Sequence, residues 1–216
     1  FDFSKIRPKG ALISGGFKAP GADGLRSALT KCEELIEKRL KDSEQNEVNL
    51  RPIDCYDFVM FMADAVLSGG VRRSATICMF SKDDDEMLKA KTGNWFIDIP
   101  QRGRSNNSVM LLRDELTREE WKNIMKSVKD FGEPGFIFTD NLDFAFNPCV
   151  EVGMLPKDEF GESGVQGCNL SEIDGAKCNT REDFLLACKA ASIIGTLQAG
   201  YTNFKYLSES TKRIFQ

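Results

Sequence analysis

The chain has 216 residues, 41% of them hydrophobic, 10% aromatic and 29% charged, which is globular rather than disordered or fibrous material. A net charge of −4 argues against a nucleic-acid-binding face, which needs surplus Lys and Arg to neutralise phosphates, and no apolar run approaches the ~18 residues of a membrane span. There is no histidine, which excludes Ser–His and Cys–His nucleophile pairs and His-ligated metals within this chain and leaves thiols, carboxylates, amides and hydroxyls; no bound metal is expected.

In chain order, Gly10–Ser14 reads as a short strand followed by a glycine loop, Gly15–Gly24. Leu25, Leu29, Cys32, Leu35, Ile36 and Leu40 repeat at helical spacing. Lys41–Asn49 is polar loop, and Ile53–Leu67, apolar on nearly every side, predicts a largely buried helix stopped by Ser68-Gly69-Gly70. Val71–Phe80 reads as a strand, with Ser81 and Asp83–Glu86 capping a short helix. Trp95–Asp98 and Ser108–Leu112 read as strands around a loop, Ile99–Asn107. Thr117 and Glu120 form a capping box ahead of Trp121, Ile124, Met125 and Val128. Gly135–Thr139 and Val165–Ile173 read as strands separated by a long irregular stretch, and Thr180 with Asp183 opens a helix over Arg181–Ala199. Alternating strands and helices predict a parallel α/β sheet or barrel. The stretch from Asp140 to Gly164 exceeds ordinary loop length, and long loops in compact domains are usually functional.

The seven cysteines form no CxxC, and the odd count fits reduced thiols in a cytoplasmic protein better than a disulfide scaffold. Cys32, Cys55, Cys78 and Cys188 stand in apolar settings and read as core, Cys188 in a buried helix. Cys149, Cys168 and, more weakly, Cys178 lie among Gly, Pro and Asn, where loops put side chains to use. In Asn147-Pro148-Cys149-Val150-Glu151, an extended backbone would project Cys149 and Glu151 to one side, with Asn147 on the same edge. Amide, thiol and carboxylate would then share one small site, although spacing alone favours a plain loop with a stray thiol.

Asn147-Pro148-Cys149-Val150-Glu151 followed by Gly167-Cys168-Asn169-Leu170-Ser171-Glu172-Ile173 resembles the finger loop and second cysteine of the ribonucleotide reductase catalytic subunit. Ser68-Gly69-Gly70-Val71-Arg72-Arg73-Ser74-Ala75 resembles that family's glycine-arginine strand motif, and Arg104-Ser105-Asn106-Asn107-Ser108-Val109 the segment closing its specificity loop. Ile6-Arg7-Pro8-Lys9-Gly10 and Gly15-Gly16 resemble its early barrel, so the likeness spans essentially the whole chain.

The resemblance implies a single partial catalytic domain over residues 1–216, part of a ten-stranded α/β barrel of two parallel five-stranded halves with a finger loop, about 140–164, inserted into it. It implies reduction of ribonucleotides to 2′-deoxyribonucleotides for DNA synthesis. Cys149 would be the thiyl radical that abstracts the 3′ hydrogen, Glu151 the base for the 3′ hydroxyl, Asn147 a donor to the substrate hydroxyls and Cys168 a member of the redox pair. The loop from Ile97 to Asn107 would respond to effector, with Arg102, Gly103, Arg104, Ser105 and Asn106 reading it; Arg72 and Arg73 are expected to be structural. The wording around Cys149 and Ser105-Asn106-Asn107-Ser108 implies adenosylcobalamin, the alternative being a diiron or other dimetal radical subunit. Implied partners are a ribonucleotide, a dNTP or ATP effector, a thioredoxin-type reductant, and a complementary chain or second copy, with no nucleic acid and no membrane. The family's first redox cysteine would precede Phe1, and its phosphate-binding loop and C-terminal cysteine pair would follow Gln216, which implies a central barrel piece, cytoplasmic or phage-encoded, inactive by itself. The competing expectation is a non-catalytic half of a split subunit that binds nucleotide and needs a complementary chain.

Overall fold

The structure, a computed structural model, describes residues 1–43, 47–67, 74–201 and 203–215 and divides into two compact units, Phe1–Leu142 and Asp143–Gln216. In the first unit the helical spacing after Gly24 folds as α1, Asp23–Lys41, and the apolar run after Arg51 as α2, Pro52–Leu67. Ala28 and Cys32 of α1 pack against Phe61 of α2. Asp54, buried in the first turn of α2, accepts from Arg39 Nη2 of α1 at 2.8 Å, so this buried charge is matched.

Strands β1 (Thr76–Ser81), β2 (Ser105–Leu112) and β3 (Gly135–Thr139) form a parallel sheet in that order. Phe80 lies opposite Val109, and Val109 opposite Phe136. Parallel neighbours need a crossover. Short helices α3 (Asp85–Leu88) and α4 (Trp95–Asp98) lie between β1 and β2, and α5 (Arg118–Phe131) lies between β2 and β3. The core joins Phe80, Val109 and Leu111 of the sheet to Ile53, Tyr56 and Met60 of α2 and Ile124 of α5. Trp121 of α5 meets Phe136 edge-on at 4.9 Å between ring centroids. By alternation Met110 and Ile137 project from the other face, and they too are buried. A parallel sheet buried on both faces is the α/β arrangement expected.

The second unit begins with a short antiparallel hairpin, β4 (Ala145–Phe146) with β5 (Gly153–Met154), followed by a bridge between Lys157 and Ser163. Helices α6 (Arg181–Ala199) and α7 (Glu209–Phe215) complete it. The capping box read from sequence forms, Thr117 with Glu120, and Thr180 with Asp183 makes a second at the helix start expected there.

Several local expectations are corrected. Where a ten-stranded barrel is expected, the described residues form a three-stranded parallel sheet and a separate two-stranded antiparallel one. Gly10–Ser14 makes one isolated bridge, Leu12 to Lys18, because Gly15 and Gly16 take φ of 80° and 78° and fold the chain back at once. Trp95–Asp98 is helical, its turn closed by Ile97 N donating to Asn94 O at 2.8 Å; three apolar residues are too few for periodicity to separate helix from strand. The loop Ile99–Asn107 is a 3-10 helix, Pro100–Arg104, that runs into β2. The cap before Met87 is Asp84 rather than Ser81. Val165–Ile173 forms no strand: no described strand lies alongside to take its backbone groups. The first strand starts at Thr76, and the Ser68–Arg73 part of the glycine-arginine motif, with Arg72 and Arg73, lies outside the described residues. Cys55 is exposed rather than core, and Cys188 is half-buried on a helix with no buried residue. Val59 and Val66 leave part of α2 exposed as well.

Candidate functional site

The two residues on either side of the tip of the β4–β5 hairpin decide the geometry around Cys149. Val150 N donates to Asn147 O at 2.9 Å, closing a turn with Pro148 and Cys149 at its corners. Proline suits the first corner because its φ is preset. The turn is then forced further by Val150, which sits at φ 66°, a left-handed conformation that a β-branched residue rarely takes. Such strain persists only where surrounding structure over-determines it and is concentrated at functional sites. The segment is therefore not extended, and the shared-edge alignment of Cys149 and Glu151 is replaced by a tight turn that leaves both exposed.

Asn147 is buried and locks this turn from beneath. Its Oδ1 accepts from Val152 N at 3.0 Å, while its backbone N donates to Val152 O at 3.3 Å. Its Nδ2 lies 4.0 Å from Cys168 Sγ, at the outer limit of an N–H···S contact. Cys168 is exposed, and its segment is tied to α6 by Asn169 Nδ2, which donates to Gly195 O at 3.3 Å. The structure thus holds Asn147 and Cys149 on one hairpin turn, with Glu151 just after it and Cys168 met through the Asn147 amide.

The expected effector residues are differently placed. Arg102 is buried, its Nε and Nη2 donating to Asp57 at 2.8 and 2.6 Å and its Nη1 to Ala90 O at 2.7 Å. Ser105 Oγ lies 2.7 Å from Tyr56 Oη and donates to Asn107 Oδ1 at 2.6 Å. A Cβ on Gly103 would meet the Trp95 ring at 3.6 Å. Arg104 is half-exposed and pairs with Asp64 at 2.6 Å, and Asn106 Oδ1 accepts from Ser108 Oγ at 3.1 Å. This segment contacts α2 through Tyr56, Asp57 and Asp64. Burial pushes the Tyr56 phenol up to about 12 and the Cys78 thiol, which lies across from Asn107, up to about 11, so both stay neutral in the core.

Three features had no sequence signal: the Val150 strain, the Asp57 partner of Arg102, and the enclosed carboxylate of Asp158. Burial works against the charge of Asp158, but the Arg213 guanidinium and the N–H groups of Glu162 and Phe160 outweigh it and hold the carboxyl below its usual range. A 680 Å³ cavity between the 170–178 segment and α6 is lined by Leu170, Ile173, Cys178 and Leu186, not by Asn147 or Cys149. Among the described residues, no His, Cys, Asp or Glu cluster could hold a metal ion and no helix is long and apolar enough to cross a membrane.

No family profile matches the chain, and no solved structure does. Curated relatives do. It is 30% identical over 188 residues to the adenosylcobalamin-dependent ribonucleoside-triphosphate reductase of Lactobacillus leichmannii, which covers 86% of this chain and 24% of that protein. The enzymes of the same name from Lactobacillus acidophilus and Lacticaseibacillus paracasei are 30% and 28% identical over 186 and 183 residues, each across 23% of its own length. The chain therefore spans about a quarter of these relatives, and over most of its own length it is a homologue of that stretch of adenosylcobalamin-dependent ribonucleoside-triphosphate reductases.

Proposed function

We propose that this chain is part of the catalytic barrel domain of a ribonucleotide reductase and carries its finger loop, with Cys149 as the hydrogen-abstracting thiol. The observation that carries the reading is the strained turn Asn147–Val150, which presents Cys149 while Asn147 reaches the second cysteine, Cys168. The sequential parallel order β1-β2-β3 is how one half of such a barrel would run.

In this reading the Cys149 sulfur, as a thiyl, takes the 3′ hydrogen: the C3′–H bond breaks and an S–H bond forms. Glu151 accepts the 3′-hydroxyl proton, and the C2′–O bond breaks as the 2′ hydroxyl takes a proton from one thiol of the redox pair and leaves as water. That pair, Cys168 and a second thiol from elsewhere in the enzyme, gives its other hydrogen to C2′ and becomes a disulfide, Glu151 returns its proton to the 3′ oxygen, and Cys149 returns its hydrogen to C3′. Asn147, whose Oδ1 is committed to Val152 N, has only its Nδ2 to offer a substrate hydroxyl. Adenosylcobalamin, on which the relatives depend by name, supplies radical chemistry when bound. The residues here fit the receiving end of that chemistry, an exposed thiol on a turn, and show no cradle for the cofactor at that turn. Of the specificity-segment candidates, Arg104, half-exposed beside Asp64, is proposed to act directly, since Arg102 and Ser105 are buried and committed to Asp57 and Tyr56.

The test is Cys149→Ser in the full-length protein carrying this sequence, assayed for deoxyribonucleotide formation from ribonucleoside di- and triphosphates with adenosylcobalamin and a dithiol. Product falls to background if the reading holds; retained turnover overturns it.

A further inference from the structure

A hairpin with two residues per strand is marginal by itself, so the position of Cys149 has to be set by what holds the base of the β4–β5 hairpin. That base runs through Lys157 into a second hairpin. Lys157 bridges Ser163, and its ammonium reaches back to Asp143 at 2.7 Å, so one residue belongs to both hairpins.

The second hairpin is built around Asp158, whose side chain is fully enclosed. Its Oδ1 accepts from the backbone N of Phe160 at 3.0 Å and of Glu162 at 2.8 Å. Its Oδ2 accepts from Arg213 of α7 twice, from Nε at 2.9 Å and Nη2 at 2.7 Å. The same Nη2 donates to Glu162 Oε2 at 2.8 Å, and the guanidinium lies 5.2 Å from the Phe160 ring centroid. Around this fork, Val165 N donates to Thr211 Oγ1 at 3.2 Å and Ser210 Oγ to Ser163 O at 3.2 Å. A Cβ on Gly164 would lie 2.6 Å from Ile214 Cδ1, so the approach to α7 is open only to glycine. The two bonds to Asp158 Oδ1 shape the hairpin itself, and the contacts of Arg213, Thr211 and Ser210 fasten it to α7.

We infer that Arg213 is a positioning residue for Cys149: by locking the Asp158 hairpin onto α7 it fixes the base from which the Cys149 turn projects. A planar fork on one carboxylate fixes direction as well as distance, which a lone ammonium does not. The inference rests on the reading of Cys149 as the reacting thiol.

The experiment compares Arg213→Ala, Arg213→Lys, Asp158→Asn and Cys149→Ser in the full-length protein, measuring kcat and KM for the nucleotide. Misplacing a reacting group by about an ångström slows chemistry up to ~100-fold. Arg213→Ala is therefore expected to lower kcat at least ~10-fold with KM changed less than ~2-fold, Arg213→Lys to recover part of the loss, and Asp158→Asn to fall between them. Wild-type kcat in Arg213→Ala, or KM rising in step with the fall in kcat, overturns the positioning role while Cys149→Ser stays inactive. If Arg213→Ala does not fold, wild-type kcat in both Arg213→Lys and Asp158→Asn overturns it. Turnover in Cys149→Ser overturns instead the reading beneath it.

Discussion

Asn147 Nδ2 lies 4.0 Å from Cys168 Sγ although 21 positions separate the two residues, and the Oδ1 of the same amide accepts from Val152 N at 3.0 Å. One buried side chain thus closes the turn that presents Cys149 and faces the second thiol. The two halves of the amide do different work, and they can be separated.

Asn147→Asp keeps an oxygen for Val152 N and loses the donor toward Cys168, whereas Asn147→Ala loses both. Removing the acceptor of the Val152 N–H, in a part-buried contact, costs about 0.5–1.5 kcal/mol, the net worth of one hydrogen bond. Denaturation should therefore show Asn147→Ala destabilised by about that amount and Asn147→Asp much less, while both lower deoxyribonucleotide formation. Equal stability of the two variants would show that Oδ1 does not hold the turn.

Val150→Gly relieves the left-handed conformation at φ 66°. Strain of this kind is worth about 1–3 kcal/mol, and the greater freedom of glycine in the unfolded chain returns up to ~1 kcal/mol of it. The expected result is a higher unfolding midpoint with slower turnover, because the turn loses the constraint that aims Cys149. A lowered midpoint would mean that packing of the valine side chain outweighs the strain.

Arg102 and Asp57 form a buried pair with two charged hydrogen bonds, at 2.8 and 2.6 Å. Arg102→Leu leaves the carboxylate buried without a partner and should destabilise the protein by about 3–5 kcal/mol. The double variant Arg102→Leu/Asp57→Leu should be less destabilised than Arg102→Leu alone. Chemical denaturation of the three proteins decides this, and additive losses would sink the pairing argument.

The capping box of α5 has a defined acid limit. Lys82, with Nζ 2.5 Å from Oε1, and the Thr117 hydroxyl and N–H hold the Glu120 carboxyl down from its ordinary 4.5 to about 2. Because the folded value is the depressed one, the stabilisation is fully present above pH ~4.5 and is lost as pH falls toward about 2. Amide titration of Thr117 should report a midpoint near that lower value, and Glu120→Gln should abolish the transition.

Legibility differed between segments for identifiable reasons. The helix over Asp23–Lys41 was readable because an apolar stripe at helical spacing needs only neighbours three and four residues away. Arg118–Phe131 was bounded by the Thr117–Glu120 reciprocity, again within four positions. Val165–Ile173 looked like a strand from its residues and is not one, since strand structure depends on a neighbour that the segment does not carry. Trp95–Asp98 failed the other way, an apolar trio too short to show its period. At the candidate site the residues Asn147, Cys149, Glu151 and Cys168 were named from motif wording, while the assumed extended backbone gave way to a turn.

By itself the sequence determined the α/β pattern and the capped helices, both consequences of interactions spanning a few residues, whereas the sorting of thiols failed at Cys55, which is exposed. Tertiary structure alone decided where the charges and amides go. Arg102 finds Asp57 across 45 positions, Asp158 finds Arg213 across 55, and Asn147 reaches Cys168 across 21. The physical reason is common to all three. A buried charge or amide must find a partner, and no local pattern says which of many distant candidates the folded chain will bring within three or four ångströms.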